Sequence, residues 1–98
     1  TIYPEDIETY LNGHTEILAS AVFPIKDTLR GARIYVALCS DQTDDENLKR
    51  ILSVLKERGL IVERWRSYGT GQWPMLVSGK PDYQALLATA SEDAWQKL

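Results

Sequence analysis

The sequence predicts a small α+β domain, in which short N-terminal helices precede a βαββα unit with a small mixed sheet. The first observation behind this prediction is an amphipathic segment over residues 44–58, which lies between two strand-like runs, 33–39 and 60–67. The second is a further helical pattern that starts at Pro81. A strand–helix–strand order favours a right-handed crossover between parallel strands. The whole unit corresponds to an incomplete ferredoxin-like arrangement that lacks its last strand.

The N-terminal part of the chain predicts short helices. Pro4 suits a first helical turn, and Gly13 ends the apolar pattern, so we expect a helix over residues 4–12. Residues 15–23 favour a second helix, with a buried strand as the alternative, because periodicity does not separate the two over so few residues. We expect residues 24–31 to be a connection. The strand missing from the sheet can come from residues 16–23, from a partner chain, or from sequence beyond Leu98.

The central elements are the most clearly patterned. Residues 33–39 are apolar on both faces, as in a central strand that is covered on both sides. Thr43 and Glu46 form a capping box, in which the Thr43 hydroxyl accepts a hydrogen bond from the third helical N–H. Gly59 suits the left-handed residue that ends a helix. We therefore expect a helix over residues 44–58.

The C-terminal part predicts a hairpin and a last helix. Residues 60–67 form one strand, residues 68–71 a glycine-containing turn, and residues 72–78 the returning strand. Pro74 cannot donate to a ladder, so the returning strand should lie at a sheet edge or carry a bulge. Pro81 opens the final helix. The apolar residues expected on its buried face are Tyr83, Leu86, Leu87, Ala90 and Ala94.

Composition limits the classes of protein that fit. The 98 residues suit one domain, spanning 1–98, and the start at Thr1 predicts a fragment or processed part of a longer protein. The net charge of −3 makes nucleic acid a less favoured partner. Cys39 is the only cysteine, so no disulfide forms within the chain. The apolar runs are far shorter than the ~18 residues that span a bilayer, so we expect no membrane partner and an intracellular, cytoplasmic protein.

Two groups of residues are candidates for catalysis or metal binding. An acidic loop follows the central strand, at a position where α/β proteins often bind cations, although capping of the next helix explains the same residues. This loop contains Asp41, Asp44, Asp45 and Glu46. Cys39 and His14 are a possible nucleophile and base, but the apolar run around Cys39 favours a buried structural thiol. The sequence thus predicts no enzyme, cofactor or metal, with an activity based on Cys39 or the acidic loop as the minority alternative.

The most distinctive surface pattern lies on the predicted hairpin, where cationic and aromatic residues alternate. Arg64 and Arg66 share one face of the strand, and Trp65 takes the other. Because Trp, Tyr and Arg dominate interface hot spots, the exposed members of this set are candidate binding residues. The set comprises Arg64, Trp65, Arg66, Tyr68 and Trp73. The alternative is a cross-strand Trp pair that only stabilises the hairpin.

Two partial resemblances bear on function. Residues 48–71 resemble the last helix and wing of a winged-helix domain, which implies nucleic-acid binding, although Asp44 and Asp45 would face the phosphates with like charge. Residues 33–66 are similar to the opening strand–helix–strand of Toll/interleukin-receptor-like domains. We expect a non-enzymatic regulatory or protein–protein interaction domain, which binds a protein partner or self-associates through a sheet edge. A winged-helix-like nucleic-acid-binding domain is the alternative.

Overall fold

The structure is a computed structural model that describes residues 3–41, 44–89 and 95–98. The described residues form a mixed three-stranded sheet with helices on its two faces. In chain order the elements are α1 (Pro4–Asn12), β1 (Ala19–Thr28), β2 (Gly31–Cys39), α2 (Asp45–Ser53), a 3₁₀ helix (Val54–Arg58), β3 (Leu60–Tyr68), a second 3₁₀ helix (Thr70–Gln72) and α3 (Tyr83–Ala88). Every helix within these ranges falls short of the length and apolar character needed to cross a membrane.

The strands lie in the order β1-β2-β3. β1 and β2 form an antiparallel hairpin, whereas β2 and β3 are parallel and are joined by α2. The small mixed α+β architecture is therefore confirmed. A ferredoxin-like unit is a split βαβ motif, with another strand between the two that the helix connects. Here β2 and β3 are direct neighbours, so the structure does not confirm the ferredoxin-like arrangement.

The prediction of a second helix at residues 15–23 is wrong, and the strand alternative is correct. β1 starts at Ala19 and continues through the predicted connection as far as Thr28. Pro24 is tolerated because β1 is an edge strand, and the register shifts just after it, between Pro24 and Lys26. Pairing with β2 decides between strand and helix here, since the local apolar pattern allows both.

The predicted return strand at residues 72–78 is also wrong, whereas the strand at 60–67 is confirmed as β3. After β3 the chain turns into a short 3₁₀ helix, in which the Gly69 carbonyl accepts from the N–H groups of Gln72 and Trp73. Trp73 then packs edge-on against Tyr68, with ring centroids 5.7 Å apart. This aromatic contact holds the segment against the face of the sheet. The predicted hairpin would instead have placed it beside β3 as a further strand.

The helix predicted over residues 44–58 is found as α2 and the 3₁₀ helix that follows it. Asp44 is its N-cap, and the Asp44 carboxylate accepts from the Asn47 N–H at 2.9 Å. Thr43, the predicted cap, lies outside the described residues. Gly59 has φ of +79°, which confirms the predicted left-handed end of this helical segment.

The last helix, α3, starts two residues after Pro81 and is capped by Asp82, whose carboxylate accepts from the Ala85 N–H at 3.1 Å. Leu86 is buried as predicted, whereas Leu87 is 46% exposed and does not belong to the buried face. Ala90 and Ala94 lie outside the described residues.

Two clusters of buried side chains cover the two faces of the sheet. We call the face under α1 and α2 the helical face. Its cluster includes Ile7, Leu11, Ile34, Val36, Leu38, Leu48, Ile51, Leu52, Leu55, Val62 and Trp65. The opposite, aromatic face buries Phe23, Ala37, Cys39, Tyr68, Trp73, Leu86 and Trp95. β2 supplies both clusters, which confirms the prediction of a central strand covered on both sides.

Candidate functional site

The structure separates the aromatic members of the predicted binding set from its cations. Trp65 has no exposed surface and belongs to the core of the helical face. Tyr68 and Trp73 are each 7% exposed and belong to the aromatic face. Arg64 and Arg66 are partly exposed. Tyr68 is therefore not one of the exposed members of the set, because the Trp73 ring and the aromatic cluster cover it.

The two arginines lie on the aromatic face but have different surroundings. Arg64 is opposite Tyr35 and Arg66 is opposite Ala37 in the parallel ladder. The Arg66 guanidinium lies over the Tyr68 ring, 4.4 Å from its centroid, in a cation–π contact. Arg66 is thus held against the aromatic cluster, whereas Arg64 faces an open cavity.

This cavity, which we call the basic cavity, lies on the aromatic face next to the start of β3. Its volume is about 470 Å³, and it is lined by Arg33, Tyr35, Ile61, Val62, Glu63, Arg64, Lys97 and Leu98. Its lining includes three cationic side chains, Arg33, Arg64 and Lys97, and one side-chain carboxylate. That carboxylate, on Glu63, forms an ion pair with Arg33. Among the described residues, neither Arg64 nor Lys97 forms an ion pair, on a chain whose net charge is −3.

A smaller cavity, which we call the apolar cavity, lies on the helical face at the same end of β3. Its volume is about 190 Å³, and it is lined by Leu52, Lys56, Leu60, Ile61, Val62 and Leu98. The two cavities share Ile61, Val62 and Leu98. Because the cavities lie on opposite faces of the sheet, the main chain of Ile61 and Val62 separates them.

At this point the outer edge of β3 carries main-chain groups that have no partner among the described residues. Ala32 lies opposite Leu60 and donates its N–H to the Gly59 carbonyl at 2.9 Å. Since the direction of main-chain groups alternates along a strand, those of Leu60 and Val62 point away from β2. Within the part of the chain that the structure describes, no group forms a hydrogen bond with these outward groups. We call this stretch, Leu60 to Val62, the open edge.

Two other points on the outer edges of the sheet are paired. At Trp65, the C-terminal segment pairs with β3 through Gln96. On the other side of the sheet, Glu8 of α1 accepts from the outward N–H of Val22 in β1 at 2.8 Å. The Tyr83 hydroxyl donates to the same Glu8 carboxylate at 2.9 Å. A partner strand therefore meets satisfied groups at Val22 and at Trp65, but unsatisfied ones at the open edge.

The carboxyl ends of β2 and β3 hold the acidic loop considered for metal binding. The Asp41 carboxylate accepts from the Thr70 hydroxyl and from the Thr70 N–H, and these hydrogen bonds lower the pKa of Asp41. Asp44 caps α2, and Asp45 accepts from Gln96 at 3.1 Å. Among the residues described, no three His, Cys, Asp or Glu side chains are grouped so that they could hold a metal ion. Each of these carboxylates has a structural partner.

The possible nucleophile and base lie in different environments. Cys39 is buried in the aromatic face, and this burial, followed by the nearby Asp41 charge, raises the pKa of its thiol. His14 lies at the end of α1, where its ring packs edge-on against Tyr10, 5.2 Å between centroids. A raised thiol pKa disfavours the thiolate that nucleophilic chemistry needs.

Two cations of the basic cavity, Arg33 and Lys97, were not among the predicted site residues. Arg33 reaches the site through the β2–β3 register, which places it opposite Ile61, and Lys97 reaches it through the pairing of Gln96 with Trp65. Neither contact has a local signal in the sequence.

Comparison of this chain with protein-family models, with curated proteins and with solved structures gives no match.

Proposed function

We propose that this chain is a non-enzymatic regulatory or protein–protein interaction domain that binds its partner through the open edge of β3. The observation that carries the proposal is the stretch from Leu60 to Val62, whose outward main-chain groups lie between the basic and apolar cavities. An exposed edge of this kind accepts a further strand, and main-chain hydrogen bonds then supply affinity while side-chain pockets supply specificity.

Arg64 is the predicted binding residue closest to this edge, and it lines the basic cavity. Arg66 supports the site from the neighbouring position, where its cation–π contact fixes it against Tyr68. Trp65, Tyr68 and Trp73 act indirectly in this proposal, because they are buried and hold β3 in place. A protein partner and a second copy of the chain are both able to supply the added strand.

The proposed location is intracellular and cytoplasmic. The single, buried, unpaired Cys39 supports this, since secreted domains of this size commonly depend on disulfides. The nucleic-acid alternative has less support. The winged-helix resemblance needs an antiparallel wing after residue 60, and among the described residues β3 instead pairs in parallel with β2.

Site-specific photo-crosslinking tests the proposal. A photoreactive residue replaces Lys97, which is exposed and lines the basic cavity, and a control replaces Lys80, which is exposed beside Tyr83 at the opposite side of the sheet. We expect a discrete crosslinked protein from position 97 and none from position 80, with a product of twice the chain mass indicating self-association. Crosslinks of equal yield at both positions, crosslinks only to nucleic acid, or none at position 97 would each contradict the proposal.

A further inference from the structure

We propose that Asn12 is a site of spontaneous deamidation, and that the folded end of α1 controls this reaction. Asn12 is the exposed last residue of α1, and Gly13 follows it. Asparagine reacts most readily before glycine, because glycine has no side chain to hinder its own main-chain nitrogen. The other asparagine of the sequence, Asn47, precedes Leu48 and is the less reactive of the two. The proposal is independent of the partner that binds the open edge.

The reaction consumes only water and needs no oxidant or enzyme. The main-chain nitrogen of Gly13 gives its proton to a base in solution and attacks Cγ of the Asn12 side chain. The new C–N bond closes a five-membered succinimide ring, while the bond from Cγ to the amide nitrogen breaks and ammonia leaves. Water then opens the ring at either carbonyl, which leaves an aspartate or an isoaspartate at position 12. Both products carry a negative charge that Asn12 lacks.

The end of α1 keeps the attacking nitrogen away from the side chain. The Gly13 N–H donates to the carbonyls of Thr9 and Tyr10, with N···O distances of 3.2 Å each, so its proton is engaged in the helix. Gly13 has φ of −71° and ψ of −14°, which continue the helical conformation. Helical side chains point toward the preceding turn, and that of Asn12 therefore points away from the nitrogen that follows it. Ring closure requires the last turn of α1 to open first.

A hydrogen bond from β1 also holds the Asn12 side chain. The Ser20 hydroxyl donates to Asn12 Oδ1 at 2.8 Å. Ser20 is only 3% exposed, so its hydroxyl loses a partner in a buried position when the end of α1 opens. This hydrogen bond therefore adds to the free energy of opening and slows deamidation in the folded chain.

Conversion of Asn12 loosens α1 from β1. A negative charge at position 12 lies at the C-terminal end of α1, where the helix dipole is also negative. It follows Glu8 by four residues, and like charges at this spacing on a helix repel each other. The Glu8 carboxylate accepts from the Val22 N–H at 2.8 Å, so the repulsion acts on the group that covers this point of the β1 edge. Deamidation thus couples the age of the protein to exposure of that edge.

Peptide mapping by mass spectrometry, during incubation of the intact chain at neutral pH, tests the proposal. We expect deamidation at Asn12 and much less at Asn47, with a rate at Asn12 at least about tenfold higher in guanidinium than in buffer. Gly13→Ala should strongly slow the reaction in guanidinium, because the added methyl group hinders the nitrogen. Equal rates at Asn12 in buffer and in guanidinium, or no reaction there in guanidinium, would overturn the proposal.

A serine variant tests the hydrogen bond from β1. Ser20→Ala should speed deamidation of the folded chain by about three- to tenfold and leave the rate in guanidinium unchanged. Ser53→Ala removes the hydroxyl of an exposed serine in α2 and should change neither rate. A Ser20→Ala chain that deamidates in buffer at the parent rate would show that this hydrogen bond gives no protection.

The consequence for β1 is measured with Asn12→Asp, which introduces the charge of the aspartate product directly. We expect amide hydrogen exchange at Val22 to be about three- to tenfold faster than in the parent, because repulsion weakens the acceptor that Glu8 provides. Gln72→Glu, which adds the same charge at an exposed residue outside α1, should leave this exchange unchanged. Equal exchange at Val22 in Asn12→Asp and in the parent would overturn the link between deamidation and the β1 edge.

Discussion

The main chain of Gln96 pairs with that of Trp65 in both directions, with N···O distances of 2.8 and 2.9 Å. The segment after α3 thereby joins the outer side of β3 as a single antiparallel bridge. Trp65 buries its side chain in the helical face, and Trp95, next to Gln96, buries its own in the aromatic face. This bridge therefore connects the buried clusters of both sheet faces to β3.

Trp65→Ala is expected to destabilise the protein by about 3–5 kcal/mol, because it removes a side chain with no exposed surface from the larger core cluster. The free energy of unfolding from guanidinium titration measures this loss. Trp73→Ala should also be destabilising, since Trp73 is only 7% exposed, whereas Val77→Ala, at a fully exposed residue, should change little. A Trp65→Ala protein as stable as the parent would contradict the assignment of Trp65 to the core.

Asp44→Ala is expected to cost about 1 kcal/mol, because the Asn47 N–H loses its capping acceptor at the start of α2. The capping-box prediction from sequence assigns the same cost to Thr43→Ala. Measured side by side in one denaturant series, the two variants identify the residue that caps the helix. An Asp44→Ala protein with an unchanged denaturation midpoint would show that the Asp44 cap contributes nothing to stability.

The elements that could be predicted from sequence are those with local signals. The helical segment formed by α2 and the 3₁₀ helix after it has apolar residues at helical spacing, and it ends at Gly59, whose left-handed conformation suits a helix end. β1 has no such signal, since the run from Ala19 to Thr28 becomes a strand only by pairing with β2. The two faces of β3 were predictable because side chains alternate along any strand.

The candidate site was less accessible to sequence reasoning, for a related reason. Arg64 stood out because it alternates with Trp65 in the sequence, but the basic cavity also needs Arg33 and Lys97, which are brought there by strand register and by the last bridge. The incorrect prediction of a return strand at residues 72–78 has the same cause, because it also depends on a contact between residues that local sequence does not reveal. Gly69 and Gly71 permit a hairpin turn, and only the tertiary contact of Trp73 with Tyr68 decides against it.

Gly31→Ala is expected to be much more destabilising than Gly59→Ala. At Gly31, φ is +136°, and an added Cβ would lie 2.4 Å from the Gly59 carbonyl oxygen, so the β1–β2 turn or the start of β3 has to move. At Gly59, φ is +79° and the added Cβ meets no atom, which leaves a conformational cost of about 1 kcal/mol. Thermal unfolding of the two variants compares them directly. Equal losses would show that the close approach of Gly31 to Gly59 is not maintained in solution.

Cys39 is expected to react slowly with thiol reagents at neutral pH in the folded protein. Its side chain is buried, and burial raises the pKa of the thiol, so both access and thiolate population are low. Addition of denaturant should bring the labelling rate to that of a free cysteine. Fast labelling of the native protein at a pH of about 6 would contradict this and would restore Cys39 as a candidate nucleophile.

The Tyr83–Glu8 pair predicts how stability changes at high pH. The Tyr83 hydroxyl donates to both oxygens of the Glu8 carboxylate, at 2.9 Å each. Burial, followed by this hydrogen bond, raises the pKa of Tyr83 to about 12. In the unfolded chain a tyrosine loses its proton near pH 10. Between these two pH values Tyr83 keeps its proton in the folded state and loses it in the unfolded state. The stabilisation that Tyr83 contributes is therefore complete below a pH of about 10 and is lost as the pH rises toward 12.

Tyr83→Phe is therefore expected to lower the free energy of unfolding by about 1 kcal/mol at neutral pH, through loss of the hydrogen bond to a charged acceptor. The difference from the parent should narrow as the pH rises from about 10 to about 12. Tyr3→Phe, at a residue that is 60% exposed, provides the control for removing a phenol hydroxyl and should be close to neutral at pH 7. Urea titrations across this pH range measure the effect. If the free energies of unfolding of the parent and of Tyr83→Phe differ by the same amount up to a pH of about 12, a protonated Tyr83 is not the hydrogen-bond donor to Glu8 of α1.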